Sequence, residues 1–122
     1  MALQNTNPTT TKAWEKLQQH FQTMQTASMK EMFSEDASRA AKFHIKWEDF
    51  LVDYSKNRIN QETINLLLEL ANEVNLKQAI ASYFDGQAIN QTENRAVLHT
   101  ALRSPENSTV NKKKKNVMPE VY

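Results

Sequence analysis

The chain has 122 residues, 15 Lys and Arg against 14 Asp and Glu, and a formal net charge of +1. Four of the positive charges are the run Lys112–Lys115, and residues 1–103 are close to neutral, so the body lacks the basic face with which nucleic-acid binders displace counterions. The absence of cysteine excludes thiol nucleophiles, disulfides and thiolate metal sites, and the single glycine, Gly86, excludes glycine-rich phosphate loops.

Further exclusions follow from spacing. His20, His44 and His99 are far apart in sequence, which disfavours a local zinc pair, and no cofactor is expected. No run reaches the roughly 18–20 apolar residues of a membrane span. The N-terminus has neither the basic start nor the apolar core of a secretory signal. The expectation is a soluble cytoplasmic protein. A chain of this length fits one domain and can bury about two thirds of its unfolded surface.

Asn7 before Pro8 suits a helix start, and Trp14, Leu17, Phe21 and Met24 then recur at helical spacing, predicting a helix over about 9–25. His20 lies beside that face and reads as a partly exposed neighbour of the core stripe. Ser28 with Glu31 forms a capping box before Met32 and Phe33. Ser34-Glu35-Asp36 restarts helical character through Ala40 and Ala41.

The period then changes to two. Phe43, Ile45 and Trp47 alternate with polar residues, and Phe50, Val52 and Tyr54 follow a tight acidic connection. That predicts a hairpin near 43–56, which helices are expected to cover because an isolated pair of strands is marginal in water. Asn60 caps the strongest predicted helix, about 61–74. Its broad apolar arc of Ile64, Leu66, Leu67, Leu68, Leu70, Ala71 and Val74 suits either a central core helix or one facing protein outside this chain.

Asn75 opens a further helix with Leu76, Ala79, Ile80 and Tyr83, and Gly86 ends it in the left-handed position after its last turn. Asn90-Gln91-Thr92-Glu93 resembles another capping box, predicting a helix to Arg103 with Leu98, Ala101 and Leu102 on its apolar side. From Ser104 the chain is polar and aperiodic, and reads as a loop. Val117–Tyr122 resembles the start of a helix that does not continue.

On the expected helix, Arg95, His99 and Arg103 would lie along one face at i, i+4 and i+8. This is a candidate anion-binding stripe for a phosphate or carboxylate, with a solvated or ion-paired face as the alternative. Glu48 and Asp53 have no carboxylate reliably opposite them. Ser55 and Lys56 point to opposite faces of a strand. The lysine run reads as a solvated loop tip.

Three blocks carry a resemblance. They are Leu51-Val52-Asp53-Tyr54-Ser55-Lys56-Asn57, the fifteen residues from Ile89 through Thr92-Glu93-Asn94-Arg95 to Arg103, and Asn116-Val117-Met118-Pro119-Glu120-Val121. In this order they resemble the N-terminal part of glucose-6-phosphate isomerases, from about residue 7 to 121. Many members have glycine where this chain has Asn94, and an apolar hairpin segment where it has the polar stretch Ser104–Lys115.

The resemblance implies a piece of a larger α/β sandwich enzyme. The enzyme would interconvert glucose 6-phosphate and fructose 6-phosphate, in glycolysis and gluconeogenesis, by metal-free proton transfer through an enediol. It also implies that the phosphate loop, the catalytic Glu and the ring-opening His lie downstream of the last matched block. No catalytic or substrate-binding residue is therefore assigned here. Tyr122 would interrupt a family helix, as expected of an N-terminal fragment or a truncated reading frame.

The expected architecture is α+β and predominantly helical, with about five or six helices and one β-hairpin. Residues 1–103 would form a helical body, and 104–122 a polar loop and truncated helix start. The expected partners are the remainder of the parent enzyme and its homodimer partner, with sugar phosphate bound only by the parent, and neither nucleic acid nor membrane. The alternative is a stand-alone helical interaction module with an anion-binding face at Arg95, His99 and Arg103.

Overall fold

The computed structural model describes residues 4–112 and 115–121. Lys113 and Lys114 of the lysine run, and Tyr122, lie outside them. Among the described residues the chain is α+β with five α-helices. It divides into two compact units, residues 8–70 and residues 71–121 together with 4–7. The boundary expected after Arg103 thus falls inside the second unit.

In the first unit, α1 (Lys12–Met24) starts later than Asn7-Pro8 suggests, because Pro8–Thr10 form a 3-10 turn. Thr11 is extended, and its hydroxyl accepts the Trp14 amide at 3.2 Å, satisfying one of the first-turn donors. Ser28 caps α2 (Met29–Glu35) as expected, accepting from the Glu31 amide. Asp36 then breaks the helix. Its carboxylate takes the Ser38 amide at 3.0 Å and the Ser38 hydroxyl at 2.6 Å, so the helical segment expected to run on from Ser34 is interrupted before the single turn of α3 (Arg39–Lys42). A third donor, Lys42 Nζ at 2.7 Å, holds the Asp36 carboxyl down at about 2. α4 (Gln61–Glu73) is capped by Asn60, whose Oδ1 accepts the Thr63 amide at 3.0 Å.

The hairpin is present as β1 (His44–Trp47) and β2 (Phe50–Asp53), antiparallel, with Ile45 opposite Val52 and Trp47 opposite Phe50. Glu48 in the connection has φ 49°. The expectation that helices cover the hairpin fails, since all eight strand residues are exposed. Order comes instead from its base. Arg39, 3% exposed, donates Nε–H to the Ser55 carbonyl at 2.8 Å and a terminal N–H to the Asn57 carbonyl at 2.6 Å. Its guanidinium lies 4.7 Å from the Phe43 ring centre and 5.7 Å from that of Phe33. Phe43 meets Tyr54 edge to face at 6.0 Å, and the Tyr54 amide donates to the Phe43 carbonyl.

In the second unit, α5 (Leu76–Phe84) follows a left-handed Asn75 and ends as predicted, with Gly86 at φ 66° and the Gln87 amide returning to the Ser82 carbonyl. The helix expected over 91–103 is absent. Asn90 and Arg95 form an isolated antiparallel bridge around residues 91–94, and only Ala101–Arg103 wind into a 3-10 turn. The polar stretch after Ser104 also departs from a plain loop. β3 (Asn111–Lys112) pairs with β4 (Lys115–Asn116). Val110, Val117, Met118 and Ala101 make the buried cluster of this unit, with Leu98 and Val121 packed on it.

Substitutions at two positions test these anchors. Arg39→Ala leaves two carbonyls and two rings without their partner, and is expected to lower stability by about 2–4 kcal/mol. Arg39→Lys recovers only part, since an ammonium cannot reproduce the planar fork. Urea unfolding followed by tryptophan fluorescence reads both, because Trp14 and Trp47 belong to the first unit with Arg39. At Gly86 an added Cβ would collide with the Asn111 carbonyl oxygen in a backbone conformation that already disfavours side chains. Gly86→Ala should therefore cost on the order of 2–3 kcal/mol, read as a lower thermal midpoint by circular dichroism.

Candidate functional site

The sequence placed Arg95, His99 and Arg103 on one helix face. The structure takes that face away. Arg95 closes the bridge to Asn90, with backbone N···O distances of 3.1 and 3.2 Å. His99 sits in a turn, and Arg103 ends the 3-10 turn. The Arg95 guanidinium is paired with the Glu93 carboxylate.

The loop that carries them is built by Asn90. Its Oδ1 accepts the Glu93 amide at 3.2 Å and the Thr92 hydroxyl at 2.9 Å, and its amide group donates to Glu93 Oε2. Asn94 then turns the chain at φ 49°, a conformation that Asn accepts more readily than most non-glycine residues. This is the position at which the family resemblance pointed to glycine. The loop supplies one internally neutralised cation and a polar rim. It does not supply three aligned cations.

The other candidate groups are also engaged. His20, its side chain 9% exposed, meets Thr63 Oγ1 at 2.7 Å and lies 3.9 Å from the Glu62 carboxylate. The Thr63 hydroxyl also lies 3.1 Å from Asn60 Oδ1. His20 thereby ties α1 to the cap of α4. At the hairpin base, the Ser55 hydroxyl beside Asp53, and the Ser55 amide donating to its Oδ1 at 2.9 Å, hold the Asp53 carboxyl below the usual carboxylate range. Lys115 at 2.6 Å does the same to Glu120. No group of three or more His, Asp or Glu among the described residues could hold a metal ion. No helix of the described residues is long and apolar enough to cross a membrane.

Sequence reasoning missed the most exposed apolar surface. Cross-strand pairing puts Ile45, Val52, Trp47 and Phe50 on one face of the hairpin, and the rings of Trp47 and Phe50 stack at 5.7 Å and 18°. The alternation carried the signal, but the expectation of helical cover hid its consequence. A second apolar face runs along α1, where Trp14, Leu17 and Phe21 line an open hollow of about 320 Å³.

Comparison with known proteins decides the family. The model of the family described as phosphoglucose isomerase matches residues 53–122, more than half of the chain. The chain belongs to the phosphoglucose isomerase family. It is 57% identical over 119 residues to a glucose-6-phosphate isomerase of Christiangramia forsetii, an alignment that covers 98% of this chain and 22% of that protein. The chain thus spans about a fifth of the length of its relative. The family match begins at Asp53, the last residue of β2, and takes in the Asn90–Arg95 loop and the buried cluster around Val117 and Met118.

The loop geometry gives a direct test at Asn94. A β-branched residue is strained at positive φ, so Asn94→Val should lower stability by about 1–2 kcal/mol. Asn94→Gly should hold or raise it. Thermal unfolding of the two variants beside the parent chain reads the difference.

Proposed function

We infer that this chain is the N-terminal portion of a glucose-6-phosphate isomerase and serves it as scaffold, without carrying catalytic residues. The observation behind this reading is the 57% identity along nearly the whole chain to a protein more than four times its length. The full-length enzyme would interconvert glucose 6-phosphate and fructose 6-phosphate in the cytoplasm, as a step of glycolysis and gluconeogenesis, and would pair with a second subunit. The chain's partner is then the remainder of its own enzyme.

The chemistry of the side chains supports the scaffold role. Aldose–ketose isomerisation needs a base positioned to move a proton between neighbouring carbons, with its pKa near the working pH, and a grip on the phosphate. Asp36, Asp53 and Glu120 are all shifted the wrong way for a base, downward, by the donors around them. Glu69 is paired with Lys16 at 2.6 Å, and Glu93 with Arg95. The reading of Arg95, His99 and Arg103 as an anion-binding stripe needs a shared helix face, and residues 91–103 form none.

Activity measurement separates the two readings. The purified chain is expected to convert no fructose 6-phosphate above blank in an assay coupled to glucose-6-phosphate dehydrogenase. Inorganic sulfate is expected to cause no cluster of amide shifts at Arg95, His99 and Arg103. Turnover that vanishes in His99→Ala or Glu93→Ala would overturn the scaffold reading. Turnover indifferent to both changes would mark a contaminating enzyme.

A further inference from the structure

We propose that the apolar face of the hairpin, Ile45, Trp47, Phe50 and Val52, is a docking finger that seats against the part of the isomerase polypeptide lying beyond the residues present in this chain. The proposal rests on the reading of the chain as an N-terminal portion, and names the surface through which that portion engages the rest.

Three observations carry it. The first is the uniformity of the face. The register places Ile45 opposite Val52 and Trp47 opposite Phe50. All four side chains are between 58% and 65% exposed. The opposite face carries His44, Lys46, Leu51 and Asp53, three of them polar or charged. A hairpin with one solvated and one wholly apolar face is patterned to pack on one side only, and nothing in its own unit occupies that side.

The second is rigidity. The hairpin keeps its shape without burying its tip, because Arg39 fixes the chain just beyond β2 through the Ser55 and Asn57 carbonyls, and Phe43 and Tyr54 close the base. The stacked Trp47 and Phe50 rings flank a two-residue connection, Glu48-Asp49. A surface already held in its binding conformation loses little freedom on docking.

The third is size. Two aromatic and two β-branched side chains at this exposure offer on the order of 400 Å², about half of what each partner commits to a stable interface between separate proteins. A second copy of the chain is a poor occupant on that count. A segment of the same polypeptide needs no such area, because covalent connection replaces association from solution with a high effective concentration. On the reading of the chain as an N-terminal portion the polypeptide available for this is ample, since the chain covers 22% of its relative.

Hydroxyl-radical footprinting tests the assignment. The free chain is compared with a chimera in which it replaces the corresponding stretch of the Christiangramia forsetii isomerase. Trp47 and Phe50 are expected to oxidise readily in the free chain at low micromolar concentration, and at least about five-fold more slowly in the chimera. Val52→Lys should lower the thermal midpoint of the chimera by about 5 °C or more, while Leu51→Lys, on the opposite face, changes it by less than about 2 °C. Neither should alter the free chain's midpoint by more than about 2 °C. Equal oxidation in free chain and isomerising chimera would overturn the proposal and leave the family function intact. Equal effects of the two lysines would overturn it as well. Protection that grows with concentration of the free chain would put a second copy in that place instead. Protection in a chimera that does not isomerise would support the docking face while removing the isomerase reading.

Discussion

Apolar surface that the chain leaves in water governs what the rest of the structure can be. Among the described residues seven apolar side chains are buried, and four of them form one small cluster. Twelve large apolar side chains stand exposed, from Phe21 on α1 through the hairpin and Leu67 and Leu68 on α4 to Ile80 and Phe84 on α5. Single exposed leucines are ordinary on a protein surface. Contiguous apolar faces are a different matter, since they mark interfaces or promote association. The hairpin presents such a face, with Ile45, Val52, Trp47 and Phe50 side by side.

Local order survives that deficit because polar anchors substitute for core. Arg39 is the clearest case. Among the described residues its guanidinium has no carboxylate partner. Two carbonyls and two aromatic faces hold it instead, in a site 3% exposed. Such contacts are directional, so they fix the chain beyond β2 relative to α3 without needing apolar volume. The His20–Thr63–Asn60 chain does comparable service between α1 and the start of α4. These anchors explain how a hairpin with no cover on either face keeps a defined register.

What was legible in the sequence follows the same division. Caps read correctly where one side chain decides the outcome, as at Ser28, Asn60 and Gly86. The hairpin read correctly because period two has no helical counterpart. The 91–103 helix misread because Asn followed three residues later by Glu is both a capping box and a loop closure. Here the Asn90 side chain turned back on Thr92 and Glu93. Asn94, adopting φ 49°, ended any helical continuation. The tail misread for a different reason. Val110, Val117 and Met118 meet Ala101 only once Asn111-Lys112 pairs with Lys115-Asn116, and no window of local sequence contains that contact. With the helix went the supposed alignment of Arg95, His99 and Arg103, because the site had been inferred from the element.

Catalytic machinery and packing machinery place opposite demands on side chains. A carboxylate general base needs its pKa raised toward neutrality, and a buried site with few donors achieves that. Here donors surround Asp36, Asp53 and Glu120 and hold each carboxyl low, which suits groups that fix loops and helix starts. Meanwhile the apolar residues face outward. The chain itself shows packing machinery: a braced hairpin base, capped helices and an apolar hairpin face exposed to solvent.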